Sequence, residues 1–427
     1  MPALVPSASG RLSADSADRS GTRASLYGPD QSPLRPLAAH RLRRAPITSP
    51  SAATVFTTVL TQGPVSRVDV SRRTGLSSAA VTKAARPFID AGYVEELDAG
   101  QRSGLRAGRP ANPLAIRAER EFFIGVKITE GELYGVLTDL RAQVRTSRRR
   151  TLPAPDIPTV LGAVRELVAD LLAESPEYAE RTHCVGVALA GDVDRRIGLV
   201  RYSPFLGWRD VTLAELIRLA TGLTATIEND VRALTVAEQW FGDGVGASSF
   251  AVVTVGTGIG CGLVLDGNVV AGAHGVAGEL GHVPVAGDGP PCHCGGLGCV
   301  EAIASTSSIV DTVRAVTGLP DVTIDDAVAR ARSGDPAVLA VFARAGHAIG
   351  LGLAAVANLF GPERIVVSGE GLAAYDLFDE SIRAAFATQA FGVAARCALT
   401  IRPLPFEEWA RGAAAVAIQT LFAPDAS

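Results

Sequence analysis

The feature that most constrains the fold is an abrupt change of hydrophobic pattern near residue 120. Before it, residues 49–118 contain short capped apolar helices and two short strand-like segments. From Phe122 onward, apolar strands alternate with amphipathic helices, which is typical of an α/β fold. We therefore predict a disordered tail over residues 1–45, a helical domain over 46–118, and an α/β domain of two similar-sized lobes over 119–427.

Charge divides the chain at nearly the same point. Residues 1–120 contain 17 Lys and Arg against 9 Asp and Glu, whereas the remaining residues contain 23 against 35. A basic first quarter on an acidic body favours a module that binds a polyanion. The cysteines are too few for a disulfide scaffold, and the N-terminus lacks the apolar stretch of a signal peptide. These features predict a cytoplasmic protein with no membrane partner.

The helical domain has the sequence pattern of a winged helix-turn-helix. A serine N-cap precedes each of three helical stretches and a glycine follows each one. The caps are Ser49, Ser66 and Ser77, and the glycines are Gly63, Gly75 and Gly92. Two short strands, Tyr93-Val94 and Leu114–Ile116, enclose a polar loop that would form the wing.

The third helix is expected to enter the major groove of DNA, so its early exposed residues would contact base edges. Nearby arginines would contact phosphates, and an arginine of the wing could enter a minor groove. The predicted base contacts are Ser78, Ala79, Thr82 and Lys83, and the predicted backbone or minor-groove contacts are Arg72, Arg73, Arg86 and Arg109. The alternative is a module that binds protein or mediates dimerisation. The basic charge, the helix caps and the arginine-rich loop favour DNA.

Three thiols and a histidine lie in a glycine-rich segment of the α/β region. Cys292, Cys294 and Cys299 fall within eight residues, and His282 lies ten residues before the first of them. Three thiolates and one imidazole complete the tetrahedral ligand set of a structural zinc ion. The alternative is three buried thiols with chance spacing, and His293 is a substitute for His282 as the fourth ligand. We predict a structural Zn²⁺ site.

A second glycine-rich run follows a predicted strand. Gly256, Gly258 and Gly260 alternate with other residues, which lets a backbone approach a phosphate closely. A glycine-rich hairpin has the same sequence, so the pattern alone leaves both interpretations open.

Carboxylates near these segments are candidates for contacts with a hydroxylated ligand. Asp230 ends a predicted strand and could accept a proton from a bound hydroxyl, although Asn229-Asp230 could equally cap the helix that follows. Glu279 and Glu301 flank the cysteine segment and are candidate hydroxyl acceptors, with solvated surface carboxylates as the alternative.

In this order, Gly256–Gly262, Gly278–His282 and Cys292–Cys299 with Glu301 resemble the signature of the ROK family (repressors, open reading frames and sugar kinases). The resemblance covers about residues 54–420. It implies an actin-like ATPase fold with two RNase-H-like lobes and a sugar in the cleft between them.

By motif position, the resemblance also implies which residues contact the sugar. These are Asn229, Asp230, Glu279, His282 and Glu301. His282 would serve both the sugar and the zinc, with one ring nitrogen on each. Asp230 matches the catalytic base of the kinase members.

One segment departs from the kinase pattern. Kinase members hold the ATP phosphates with an Asp-x-Gly-Gly-Thr loop, and the matching residues here are Lys127-Ile128-Thr129-Glu130-Gly131. Glu130 would add negative charge near a triphosphate, and the branched Thr129 would hinder close approach of the backbone. Although the first glycine run and Gly369-Glu370-Gly371 persist, we expect ATP and Mg²⁺ not to bind, and Asp230 to be catalytic only in a kinase.

The sequence therefore predicts a sugar-responsive DNA-binding regulator, a repressor of genes for sugar uptake or catabolism. A homodimer or higher oligomer would place two winged helices on an inverted repeat of double-stranded DNA, with a monosaccharide or sugar phosphate as effector. One alternative is an ATP-dependent sugar kinase with an added DNA-binding domain, which Asp230 favours. The other is a winged helix that binds protein, with a degenerate sugar domain as its scaffold.

Overall fold

A computed structural model describes residues 45–97, 112–273 and 275–422. Residues 1–44 of the predicted tail lie outside the described residues, as does most of the predicted wing loop with Arg109. The domain boundaries given above stay predictions.

The first described elements are three helices followed by a two-stranded antiparallel sheet. They are α1 (Pro50–Gln62), α2 (Arg67–Thr74), α3 (Ser78–Asp90), β1 (Val94–Glu96) and β2 (Leu114–Ile116). Ser49, Ser66 and Ser77 each accept a hydrogen bond from a backbone N–H of the helix that they precede, as predicted. Gly75 ends α2 with a φ of 71°, in the left-handed region that favours glycine. We call α1–α3 with β1 and β2 the head.

The next elements form the first lobe. They are β3 (Phe122–Ile128), β4 (Glu132–Asp139), β5 (Val144–Thr151), α4 (Ile157–Ala173), α5 (Pro176–Arg181), β6 (Thr182–Leu189), β7 (Asp192–Asp194), β8 (Leu199–Ser203), β9 (Trp208–Val211), α6 (Leu213–Thr221), β10 (Thr224–Asn229) and α7 (Asp230–Phe241). The main sheet has the order β10-β6-β3-β4-β5, in which β3–β5 are antiparallel neighbours and β6 and β10 run parallel to β3. Strands β7–β9 form a small separate sheet.

The second lobe repeats this topology. Its elements are β11 (Phe250–Val255), β12 (Ile259–Leu265), β13 (Asn268–Val269), α8 (Val300–Ala304), α9 (Thr306–Thr317), α10 (Ile324–Arg332), α11 (Pro336–Phe360), β14 (Arg364–Gly369), α12 (Asp379–Gln389) and β15 (Ala398–Pro403), and the last helix, α13 (Phe406–Gln419), follows them in the chain. The sheet order is β13-β12-β11-β14-β15, again three antiparallel strands followed by two parallel ones. The predicted α/β fold of two similar lobes is confirmed.

The last helix returns to the first lobe and lies directly on its sheet. A Cβ atom added to Gly125 of β3 would lie 1.9 Å from the carbonyl oxygen of Ala410, and one added to Gly186 of β6 would lie 1.9 Å from that of Ala413. Only glycine permits this distance between a strand and the backbone of α13. The C-terminal part of the chain therefore completes the core of the first lobe.

Helix α11 is the one helix within the described ranges that is long and apolar enough to cross a membrane, judged by length and composition. Most of its most apolar stretch is buried, and Phe342, Ile349 and Leu353 lie in the main core of the second lobe. These contacts are those of a core helix.

The glycine contacts beneath α13 predict a difference between two Gly→Ala substitutions. Gly186→Ala would force a methyl group into the α13 backbone, so we expect the free energy of unfolding to fall by about 1–3 kcal/mol or more. Gly162→Ala, in α4, places its methyl group in open space and should leave stability unchanged or raise it by up to about 1 kcal/mol. Urea denaturation of both variants measures the difference, and equal stabilities would contradict the packing described here.

Candidate functional site

The first two candidate sugar contacts lie where β10 ends and α7 begins. The Oδ1 atom of Asn229 accepts a hydrogen bond of 3.1 Å from the backbone N–H of Arg232, and its Nδ2 atom donates one of 3.1 Å to the carbonyl of Gly191. Asn229 is thus the N-cap of α7, which was the second of the two interpretations of this dipeptide. Asp230 is the first residue of the helix and is buried.

Asp230 forms a buried ion pair with Lys127 of β3. Its other carboxylate oxygen accepts a hydrogen bond of 2.9 Å from the N–H of Val231. The Lys127 ammonium also lies 5.2 Å from the ring centre of Trp409 in α13, within the range of a cation–π contact. The carboxylate that matches a catalytic base is therefore neutralised by the lysine that replaces the aspartate of the kinase loop.

Arg232 is a cleft residue that the sequence analysis missed. Its Nε atom donates to Glu228 at 2.7 Å, and its two terminal nitrogens donate to the carbonyls of Val193 and Gly275. The side chain therefore ties β7 and β10 of the first lobe to the segment that leads to Glu279. The sequence signal that could have identified Arg232 is its position among apolar residues, with Val231 before it and Ala233 and Leu234 after it.

The remaining candidate acceptors belong to the second lobe. The Nε2 atom of His282 lies 3.9 Å from a carboxylate oxygen of Glu279, whose pKa is raised chiefly by burial. Glu301 accepts a hydrogen bond of 2.9 Å from the N–H of Ile259, and its other oxygen lies 3.3 Å from the Nδ1 atom of His293. His293, considered only as a substitute metal ligand, therefore contacts a candidate sugar acceptor.

Three of the four predicted metal ligands, His282, Cys292 and Cys294, have their ligand atoms within 4.8 Å of one another, and Cys299 adjoins this group through Cys294. The Nδ1 atom of His282 lies 3.5 Å from the sulfur of Cys292, and the sulfurs of Cys294 and Cys299 are 3.8 Å apart. Thiolates bound at about 2.3 Å to a tetrahedral ion stand about 3.8 Å from one another, so the spacing fits a metal site. His282 turns Nδ1 to the thiols and Nε2 to Glu279, and the division of its nitrogens between a metal and a sugar stays a prediction.

The environments of these thiols differ. The N–H of Gly296 donates to the sulfur of Cys294 at 3.4 Å and is the main cause of the lowered pKa of that thiol. Burial raises the pKa of the Cys299 thiol to about 12. A His/Cys cluster of this composition can hold a metal ion.

The first glycine run is divided between a turn and a strand. Gly256 and Gly258 lie in the turn between β11 and β12. Gly260 lies inside β12, where a Cβ atom would be 2.5 Å from the side chain of Val231. The missing side chain of Gly260 therefore makes room for α7, and its assignment to a degenerate phosphate loop stays a prediction.

A carboxylate lies against this turn. Glu370 accepts hydrogen bonds from the N–H of Thr257 at 2.9 Å and from its hydroxyl at 3.4 Å. A Cβ atom on Gly256 would lie 2.0 Å from the same carboxylate oxygen. The Glu370 carboxylate therefore occupies the backbone N–H and the hydroxyl of Thr257, and the retention of Gly369-Glu370-Gly371 as a nucleotide feature stays a prediction.

The matching turn of the first lobe is closed by its own residues. The hydroxyl of Thr129 donates to the carbonyl of Glu132 at 2.9 Å and accepts from the N–H of that residue at 3.0 Å. Glu130 is exposed at the tip. The threonine thus stabilises a tight β3–β4 turn.

The head presents the predicted DNA contacts on its surface. All the predicted contacts within the described residues are exposed, namely Arg72, Arg73, Ser78, Ala79, Thr82, Lys83 and Arg86. Arg72 pairs with Asp69 at 3.0 Å, and Arg86 pairs with Asp90 at 3.0 Å. The opposite side of α3 is buried at Val81, Ala85 and Phe88.

Comparison with known proteins links the whole arrangement to one family. The family model described as ROK family matches residues 123–420. The N-acetylglucosamine repressor of Escherichia coli O157:H7 is 28% identical over 348 residues, which cover 80% of this chain and 85% of that protein.

Two solved structures extend the comparison. A ROK family transcriptional regulator, described as a homolog of the E. coli MLC protein, superposes with a TM-score of 0.73 at 29% identity and covers 87% of this chain and 96% of its own. A ROK family glucokinase from Streptomyces griseus, solved with glucose and AMPPNP, has a TM-score of 0.62 at 27% identity and covers 70% of this chain and 99% of its own.

The buried ion pair predicts a non-additive pair of substitutions. Asp230→Asn or Lys127→Met alone leaves one buried charge without its partner, so each should lower the free energy of unfolding by about 3–5 kcal/mol. The double variant should lose clearly less than the sum, measured by urea denaturation as a double-mutant cycle. The exposed Arg86–Asp90 pair is the control, with a coupling of about 1 kcal/mol or less. Additive losses at Lys127 and Asp230 would contradict the pairing.

Proposed function

The chain belongs to the ROK family, and from this premise we propose that it is a sugar-responsive transcriptional repressor of genes for sugar uptake or catabolism. The observation that carries the proposal is the head itself, whose three helices and two-stranded sheet precede the family domain. The similarity to a ROK transcriptional regulator extends over 87% of the chain, whereas the similarity to the glucokinase extends over 70%.

The DNA interface is proposed on α3 and the end of α2. Small polar side chains at the start of α3 suit close approach to base edges, and the flanking cations suit phosphates. The residues proposed to contact DNA are Arg72, Arg73, Ser78, Ala79, Thr82, Lys83, Arg86 and, outside the described residues, Arg109. A homodimer would place two such surfaces on an inverted repeat.

The effector site is proposed in the cleft between the lobes. Asn229, Asp230, Glu279, His282 and Glu301 come from both lobes and carry the acceptors that sugar hydroxyls need. The largely buried Glu301, held by the N–H of Ile259, fits a group that is partly withdrawn from water, whereas the Glu279 side chain is exposed and accessible to a ligand. The effector is a monosaccharide or a sugar phosphate, and its binding would favour one arrangement of the lobes over the other.

Two ionic contacts argue against the alternative function of sugar kinase. A general base needs an available carboxylate, and Asp230 is paired with Lys127. Phosphoryl transfer needs backbone donors and cations around the phosphates, and the donors of Thr257 are occupied by Glu370. The turnover of ATP with a hexose at an ordinary enzymatic rate would support the kinase instead.

The metal of the His/Cys cluster is proposed to be zinc. His282, Cys292, Cys294 and Cys299 would supply four protein ligands, which fits a structural site that leaves no position for a reacting water. The ion would fix the segment that carries His282 and would thereby keep its Nε2 atom beside Glu279.

The zinc proposal predicts the behaviour of Cys292→Ser. The variant should lose most of its zinc, unfold at a lower temperature and bind sugar more weakly, because the ligands also position the cleft. Metal analysis by mass spectrometry, thermal unfolding and sugar titration measure these effects. Cys397→Ser removes a partly buried thiol outside the cluster and serves as the control. A Cys292→Ser protein with full zinc content and normal sugar binding would refute the site.

The regulatory function predicts capture of specific DNA. Purified zinc-replete protein, incubated with fragmented genomic DNA, should enrich an inverted repeat near sugar-uptake or sugar-catabolism genes. One sugar from a panel of monosaccharides and sugar phosphates should change the enrichment. Failure to enrich any fragment under any condition would contradict the proposal.

A matched pair of variants controls for non-specific charge. Arg72→Ala with Arg86→Ala should weaken binding and reduce the dependence of affinity on salt, since each of these arginines is proposed to contact a phosphate and each such contact contributes a slope of about 0.9. Arg344→Ala with Arg396→Ala removes two exposed cations from the second lobe and should leave both quantities unchanged.

A further inference from the structure

Helix α7 extends from the proposed sugar site toward the head. It begins at Asp230 and ends after 12 residues, about 18 Å away, with Trp240 and Phe241. Both aromatic side chains are partly buried against the apolar cluster that contains the core of the head.

Three aromatic side chains form a continuous contact from the end of α7 into the head. The ring of Trp240 meets the ring of Phe422 edge to face, with centroids 5.2 Å apart. Phe422 packs on Phe56 of α1 at 5.3 Å, and Phe56 stacks on Phe88 of α3 at 4.6 Å. We call Trp240, Phe422 and Phe56 the aromatic bridge. Through Phe88, the bridge ends on the helix proposed to contact DNA.

The elements that support the bridge from the first lobe, α7, β3 and α13, are closely packed against one another. A Cβ atom on Gly412 of α13 would lie 2.9 Å from the backbone of Ala233 in α7, and one on Gly125 of β3 would lie only 1.9 Å from the backbone of α13. Phe422 follows α13 by three residues and is half-buried. Closely packed elements transmit a displacement because they have few alternative arrangements.

Asp230, one of the proposed sugar contacts, belongs to the same closely packed group of elements, α7, β3 and α13. Asp230 begins α7, its partner Lys127 lies on β3, and Trp409 of α13 packs on that lysine. A ligand that changes the Lys127–Asp230 contact therefore acts on all three elements that position Phe422.

We propose that the aromatic bridge transmits sugar binding to the head. The inference rests on the proposed function and names the contact through which the sugar site regulates DNA binding. A sugar that shifts the start of α7 moves Trp240 and Phe422 against Phe56. This movement changes the orientation of α3 relative to the two lobes.

A second connection between the head and the first lobe is the competing route by which sugar binding could reach the head. The hydroxyl of Tyr93 donates a hydrogen bond of 2.6 Å to the buried carboxylate of Glu121, next to the start of β3. If this contact carried the signal, Tyr93→Phe would uncouple the sites and substitutions in the bridge would not.

The experiment measures the affinity of full-length zinc-replete protein for its captured operator, with and without the effector sugar. The ratio of the two affinities is the coupling, which in allosteric proteins is typically about 5–150-fold. Phe422→Ala and, independently, Trp240→Ala should reduce the ratio to less than about 2-fold. The affinity for sugar in the absence of DNA should stay within about 2-fold of wild type, because Trp240, which Phe422 contacts, lies at the opposite end of α7 from Asp230.

Three controls separate coupling from folding. Phe422→Tyr keeps the ring contact and should keep the coupling, whereas Phe391→Ala removes an aromatic ring that is 85% exposed on the second lobe and should change nothing. Thermal unfolding shows whether each variant is folded, and Tyr93→Phe tests the competing route.

The outcomes distinguish the two proposals. A wild-type protein that binds no DNA, or whose DNA affinity no sugar changes, overturns the proposed function and the bridge with it. A wild-type protein with normal coupling, together with folded Phe422→Ala and Trp240→Ala variants of undiminished coupling, overturns the bridge alone. Loss of coupling only in Tyr93→Phe likewise assigns the signal to the other connection.

Discussion

The close packing of α13 against the first lobe is the contact on which the rest of the structure depends. Glycines at positions 125, 186 and 412 allow the backbones of β3, β6, α7 and α13 to approach without intervening side chains. Because α13 follows the second lobe in the chain, this contact closes the first lobe with residues from the C-terminal part. It also places Trp409 beneath Lys127 and carries Phe422 to the head.

The same packing explains why the charges of the cleft are paired internally. Lys127 is buried between a sheet and two helices, and a buried ammonium is stable only with a partner, which Asp230 supplies. In the second lobe, the backbone N–H of Thr257 donates to the carboxylate of Glu370. Both contacts join residues more than 100 positions apart in the chain.

This separation also marks what the sequence could predict. The helix caps of the head, the strand and helix alternation and the convergence of Cys292, Cys294 and Cys299 depend on local spacing, and each was predicted. Lys127 and Glu370 were both noticed, yet their partners were not, because a pairing between distant residues follows from the tertiary fold and not from local pattern. The sequence leaves the role of Gly260 open for the same reason, since a glycine that admits a helix and one that admits a phosphate look alike in sequence.

The paired charges bear directly on the choice between regulator and kinase. A kinase must keep a carboxylate available to accept a proton and must keep donors available for phosphate oxygens. A regulator needs only that its ligand bind two arrangements of the protein with different affinity. The internal contacts of Asp230 and Thr257 therefore remove groups that catalysis needs, but nothing that regulation by a ligand needs. The Lys127 contact also connects Asp230 to β3 and α13. The residue that matches the catalytic base of a kinase is thereby linked to the elements that support the head.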